Sequence, residues 1–318
     1  NFIVVVPEQY TMETQKKLVH MHSRKGILNI DVVSFERLAY KVFEELGGGN
    51  RPVLDDTGKN LIVRRVLEKE KKKLDYFGSS IEKTGFVSEL KSVISELLQY
   101  GITPQQLGEI GENVKEKQQL SAKLKDIRLV YEEFMAFLST NYITSEEILD
   151  VLCGLVEKSK LIAGSEIIFD GFTGFTPIQY KLMRLLLVYS KGIKISVTID
   201  KKERPTGHEG WNNLFFMSKE MMNRLIAICE EEGINVDDTV CVDRDINYRY
   251  EGAKDLAYLE RNLFRYKGGV YTGTPENIRI YEGSNPKEEL QYIVSEILQL
   301  TRKEGFRYRD IAVVTADL

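Results

Sequence analysis

The sequence predicts an α/β chain whose parallel sheet is interrupted by an all-helical insertion and followed by the first βαβ unit of a second α/β domain. Three observations predict it. Short continuous apolar runs alternate with helical patterns on both sides of the insertion, as strands covered on both faces do. Between residues 55 and 160 only the helical period is legible. Beyond a polar, Gly-containing stretch from Tyr266 to Pro275, one strand–helix–strand pattern remains. The expected domains are residues 1–54 with 161–270, the insertion 55–160, and the opening of the second domain at 276–318.

Phe2 to Val6 is a β-branched run halted by Pro7, and a helical stretch follows from Thr11 to Met21. Ile30 to Val33 is a second run, with Ser34 placed to cap a helix that Gly47-Gly48-Gly49 ends. Phe86, Leu90, Val93, Ile94, Leu97 and Leu98 recur at helical spacing, as do Leu120, Leu124, Ile127, Val130, Phe134 and Leu138. No strand is expected across that stretch. Alternation then resumes: a strand at Glu166–Phe169, a helix at Pro177–Tyr189, a strand at Ile193–Ile199, a helix at Leu214–Glu231, and an edge strand around Val240 and Val242. The last unit is a strand at Ile278–Tyr281, a helix at Lys287–Glu304 and a strand at Ile311–Thr315.

With 318 residues, 42% hydrophobic and 29% charged, the chain has material for about two cores. That balance excludes disordered, collagenous and disulfide-stapled classes. No apolar run approaches the roughly 20 residues that cross a bilayer, so no membrane partner is expected. Lys and Arg total 44 against 48 Asp and Glu, a net charge of −4. A nucleic-acid site must therefore be a local groove. Cys153, Cys229 and Cys241 lack CxxC spacing and read as reduced thiols. With no signal peptide, the cytoplasm is the expected compartment. Both ends fall in strand-like runs and read as cut from a longer polypeptide.

Catalytic motifs are scarce. His20, His22 and His208 have no metal spacing, and GxSxG, HExxH and GxxxxGK[ST] are absent. Gly47-Gly48-Gly49-Asn50 lacks the phosphate-reaching lysine, and Thr57-Gly58-Lys59 lacks the preceding loop. No catalytic residue, metal site or cofactor is expected within this chain. Asp170 ends an apolar strand, where an acid holds magnesium in nucleotide hydrolases or simply caps a turn; Gly171 stands where a catalytic carboxylate often follows.

In an open parallel sheet, ligands bind beyond the carboxyl ends of the strands. Three segments follow such ends: Pro7–Thr11, Ser34–Arg37 and Asp170–Pro177. They carry aromatic faces (Tyr10, Phe35, Tyr40, Phe172, Phe175), polar groups (Gln9, Thr11, Thr173) and the guanidinium of Arg37. That mixture suits a single nucleic-acid strand, whose bases stack on aromatics without sequence preference. Two readings stay open: stacking faces and a base-reading arginine, or core rings and an arginine paired with a nearby acid.

At these segments the sequence resembles the AddB family, the non-motor half of the bacterial AddAB helicase–nuclease and a relative of superfamily-one helicases. The matching stretches are VPEQYT at Val6–Thr11, VVSFERLAYKVF at Val32–Phe43 and DGFTGFTPIQY at Asp170–Tyr180. Weaker echoes are SAKLKDIRLVYEEF at Ser121–Phe134 and EGFRYRDIAVV at Glu304–Val314. The resemblance implies a P-loop-NTPase, helicase-like half that scans single-stranded DNA for the Chi hotspot while an AddA partner drives unwinding. It places Chi-reading positions at Gln9, Thr11, Phe35, Arg37, Tyr40 (where some relatives have Trp) and Phe172, and makes Asp170 a vestigial nucleotide or magnesium position. It assigns the parent polypeptide, outside these 318 residues, a P-loop, a nuclease domain with Mg2+, and an iron–sulfur cluster; ATP use stays open. Two alternatives remain: an ATPase motor whose P-loop lies upstream, and a scaffold docking the motor through the helical stretch, where the charged run Lys69–Lys73 is otherwise a solvated face.

Overall fold

The computed structural model describes residues 1–48, 52–200, 203–207, 210–242, 248–265 and 268–315. Gly49, Asn50, His208 and Tyr266, used above, lie outside the described residues. The chain divides into two compact units, 1–241 and 242–318.

In the first unit, β1 (Phe2–Val5) leads through a turn at Glu8–Tyr10 into α1 (Thr11–Met21), then β2 (Ile30–Val33) and α2 (Phe35–Leu46). Ser34 caps α2 as its sequence position predicts, its Oγ accepting the Arg37 N–H at 3.3 Å. Leu38, Ala39, Val42 and Phe43 form the buried stripe of this helix. Gly47, at φ +77°, ends it in a conformation that glycine adopts without a Cβ clash.

The next stretch holds β3 (Val53–Leu54), α3 (Asp56–Glu70), α4 (Phe86–Gln99), α5 (Pro104–Asn113), α6 (Gln118–Asn141), β4 (Ile143–Thr144) and α7 (Ser145–Cys153). Residues of α3 to α6 share one core, in which Val63, Leu67, Ile94, Val130, Phe134 and Leu138 are buried, whereas Ile148 and Leu152 of α7 join the core of the sheet. The carboxylate of Asp126, fully buried, accepts the backbone N–H groups of Asp75, Tyr76 and Phe77 and so fixes the crossing from α3 toward α4. One expectation fails: β3 and β4 pair in parallel, Val53 with Ile143, although the pattern predicts no strand in 55–160. A two-residue bridge is too short to carry an alternating pattern.

The chain returns through α8 (Lys160–Ala163) to β5 (Glu166–Phe169), α9 (Pro177–Tyr189), β6 (Gly192–Ile195) and α10 (Phe216–Glu231). Four strands form a parallel sheet in the order β2-β1-β5-β6, with Val5 opposite both Val33 and Phe169, and Phe169 opposite Ile195. Ile3, Val5, Ile167 and Phe169 are fully buried between the helices that cover the sheet. β6 stops at Ile195 rather than Ile199. The Ser196 N–H still reaches the Phe169 carbonyl, but the neighbouring chain then turns away at Gly171 and leaves nothing to pair with. Val240 and Val242 form no edge strand and are 83% and 90% exposed.

The second unit contains α11 (Lys254–Asn262) and α12 (Pro286–Lys303). The helix of the expected βαβ unit is present, but Ile278–Tyr281 and Ile311–Thr315 are not strands, and Ile280 and Val314 are 95% and 94% exposed. Two short strands with one helix bury too little apolar surface to hold a sheet. Asp255 gives this unit its polar anchor, accepting from the backbone of Leu256, Glu276 and Asn277 and from the Asn277 amide. Among the described residues, no helix is long and apolar enough to cross a membrane.

Candidate nucleic-acid interface

The strand order sets the location. The chain steps from β1 to β2 in one direction and from β5 to β6 in the other, so the β1–β5 boundary is a topological switch point. All four strands run parallel, which brings Pro7–Tyr10, Ser34–Arg37, Asp170–Thr176 and the residues after Ile195 to one edge.

Contacts join these segments. Arg37 Nε lies 3.2 Å from Glu8 Oε1, linking the turn after β1 to the first turn of α2. Both side chains are more than half exposed, so the pair contributes at most about 1 kcal/mol. A Cβ on Gly171, at φ +80°, would sit 3.5 Å from the Pro7 ring, so the loops after β1 and β5 are in close approach. Phe35 lies 5.7, 5.5 and 6.0 Å from Phe169, Phe172 and Phe175, mostly edge-on, and this cluster holds the start of α2 against the loop after β5.

The six residues singled out from sequence fall into three groups. Gln9, Arg37 and Tyr40 are exposed; Arg37 and Tyr40 lie three residues apart on one face of α2. Burial, and then the adjacent Glu36 carboxylate with its hydrogen bond, push the Tyr40 phenol above its ordinary value, so the phenol stays protonated. Thr11 and Phe35 turn inward. The Thr11 hydroxyl donates to the Glu8 carbonyl at 3.0 Å, and Phe35 is 7% exposed within the aromatic cluster. Phe172 is half-buried, packed on the core by one side. Of the two readings left open, Phe35 is a core ring and Arg37 does pair with an acid, but at the surface.

Asp170 is exposed and accepts a short hydrogen bond from the Ser196 hydroxyl. This donor set does not fit a magnesium–nucleotide centre: one carboxylate, a serine and a glycine supply neither paired acids nor a phosphate loop. Among the described residues, no group of His, Cys, Asp and Glu is arranged to hold a metal. Cys153 sits buried in α7, its thiol pushed up to about 11 by burial, and Cys229 is buried in α10. Sequence reasoning did not single out Glu8 or Ser196. Glu8 adjoins Gln9 in a segment already flagged, whereas Ser196 shows its role only once β6 is placed beside β5.

The family described as ADDB, N-terminal, matches residues 1–260. The chain is similar to the B component of the ATP-dependent helicase/deoxyribonuclease of Lachnoclostridium phytofermentans, at 42% identity over 317 residues, covering 99% of this chain and 28% of that protein. It is 37% identical to the same-named component in Caldanaerobacter subterraneus subsp. tengcongensis and 33% identical to that of Clostridium novyi, covering 99% of this chain and 27% of each relative. The chain thus spans under a third of the length of these relatives. The family match together with relatives aligned over nearly every residue shows that the chain belongs to the AddB family, in its N-terminal part.

Proposed function

We propose that the chain binds an unpaired DNA strand along the carboxyl edge of its sheet and reads the Chi sequence there, within the non-motor half of a helicase–nuclease for double-strand break repair. The observation that carries this reading is the gathering of exposed Gln9, Arg37 and Tyr40 on one edge of a parallel-sheet switch point. A glutamine amide and an arginine guanidinium can pair with adenine and guanine edges through two hydrogen bonds each. Tyr40 offers a stacking face, and the half-buried Phe172 ring a second. Thr11 and Phe35 act indirectly, by fixing the turn and the helix that carry these groups. Glu8 holds Arg37 until a strand displaces it.

The relatives are named for a helicase and a deoxyribonuclease, which supports the wider assignment. In that assignment the sheet is helicase-like with residues 55–160 as its insertion, an AddA motor is the partner, and Mg2+, ATP and iron–sulfur chemistry belong to the remainder of the parent protein. The motor alternative draws no support from Asp170, which is bonded to Ser196 beside Gly171. The docking alternative draws none from the charged run, since Lys69, Lys71 and Lys73 pair with Glu133, Glu82 and Glu70.

Binding of Chi-containing and scrambled single strands to the chain tests the reading. The Chi strand binds more tightly, and Arg37→Ala reduces the ratio by about tenfold, the value of one paired base contact. Equal affinity for both strands, with the chain folded by circular dichroism, removes the sequence-reading role.

A further inference from the structure

We infer that the strand-binding edge continues onto the loop between β6 and α10, where Trp211 stacks on a base of the same unpaired strand. This inference rests on the reading above.

The loop belongs to that edge by position. It leaves the carboxyl end of β6, where the Ser196 hydroxyl bonds to Asp170. Its far end leads into α10, whose Met217 methyl lies 3.9 Å from where a Cβ on Gly174 would stand, so the start of that helix borders the segment after β5.

The loop is also braced. Glu203 Oε2 lies 2.6 Å from Lys219 Nζ in an ion pair and accepts from Asn213 Nδ2 at 3.2 Å. Lys219 is 1% exposed, so its charge sits in the interior beside that carboxylate. Asn223 clasps Gly207 by two hydrogen bonds, and the Asn213 N–H closes a turn onto the Gly210 carbonyl at 2.9 Å. Within that turn Trp211 is 86% exposed; Leu214, and Met217 in the first turn of α10, are each 62% exposed, and the loop also presents Arg204.

These contacts tie the described parts of the loop to α10, and the indole of Trp211 stands in water. A backbone held in advance lowers the ordering cost of stacking. Bases stack on aromatic faces whatever their sequence, and a guanidinium in the same loop suits the phosphates between them. The occupant that matches is an unpaired nucleic-acid strand already engaged by Gln9, Arg37 and Tyr40.

Trp211 is the sole tryptophan of the chain, so its emission reports this contact directly. The chain is titrated with a dye-labelled, Chi-containing single strand of about 15 nucleotides, following dye anisotropy for binding and indole emission for stacking. Emission falls in step with anisotropy, Trp211→Ala weakens binding about tenfold, and Trp211→Phe restores most of it. Circular dichroism confirms that each variant folds. If the strand binds and Arg37→Ala weakens it, while emission and Trp211→Ala affinity stay unchanged, the loop is not part of the edge and the function proposed above stands. If the folded chain shows no anisotropy change at all, that function fails and this inference with it.

Discussion

Arg37 and Glu8, 29 positions apart, meet through Nε and Oε1 at 3.2 Å on the surface of the sheet edge. The acid occupies the guanidinium that the proposed interface requires, so Glu8 and a DNA strand compete for Arg37. Replacing the carboxylate without changing its shape separates these roles. Glu8→Gln is expected to raise single-strand affinity about fivefold at low salt, since removing one like charge near a phosphate is worth ~1 kcal/mol in water. The gain should fade as salt rises, with stability changed by less than about 1 kcal/mol. A loss of affinity would instead mean that Glu8 positions Arg37 for binding.

Phe35 has the opposite character. Buried against Phe169, Phe172 and Phe175, it should cost about 3–5 kcal/mol of stability as Phe35→Ala, read from the midpoint of urea unfolding. Phe35→Leu should recover most of that loss and, with it, any DNA binding. If Phe35→Ala leaves stability intact but abolishes binding, the ring touches DNA directly.

Glu45 predicts a pH dependence. Its carboxylate accepts from the Ser159 hydroxyl at 2.6 Å and from the N–H groups of Lys160 and Leu161, joining the end of α2 to the start of α8. The Ser159 bond, aided by the two backbone donors, holds its pKa below the ordinary carboxylate value. A pKa depressed by folding contributes stability above the unfolded value, and that stability is lost as pH falls through the folded one. The gap in urea midpoint between wild type and Glu45→Gln should be full at pH 7 and close below about pH 4. A gap independent of pH would show that the charge is not what stabilises this junction.

The parallel sheet and the caps were legible because they depend on local signals: β-branched runs, Ser34 before an amphipathic stripe, Gly47 after it. The edge was legible too, since strand direction alone decides which loops share it. What sequence could not resolve was which way each side chain turns there. Thr11 and Arg37 both sit in the first turn of a helix, yet one hydroxyl folds back onto the Glu8 carbonyl and the other group stands in water. The brace of Lys219 on Glu203 was invisible for the same reason, because it closes a loop whose length carries no periodic signal. The two terminal strand patterns show the converse: apolar runs such as Ile278–Tyr281 state a preference, and a strand forms only where a partner is aligned beside it.

The adjacency of β1 and β5 has a further consequence, in time rather than in space. Val5 waits for Phe169 as its neighbour, and more than 100 residues must emerge from the ribosome between them. The pairing of β1 with β2 and the helices of residues 56–153 can organise early, but the β1–β5 boundary at the centre of the sheet cannot exist until the later strand arrives. A nascent chain stalled short of that point would display helices and no assembled switch point at all.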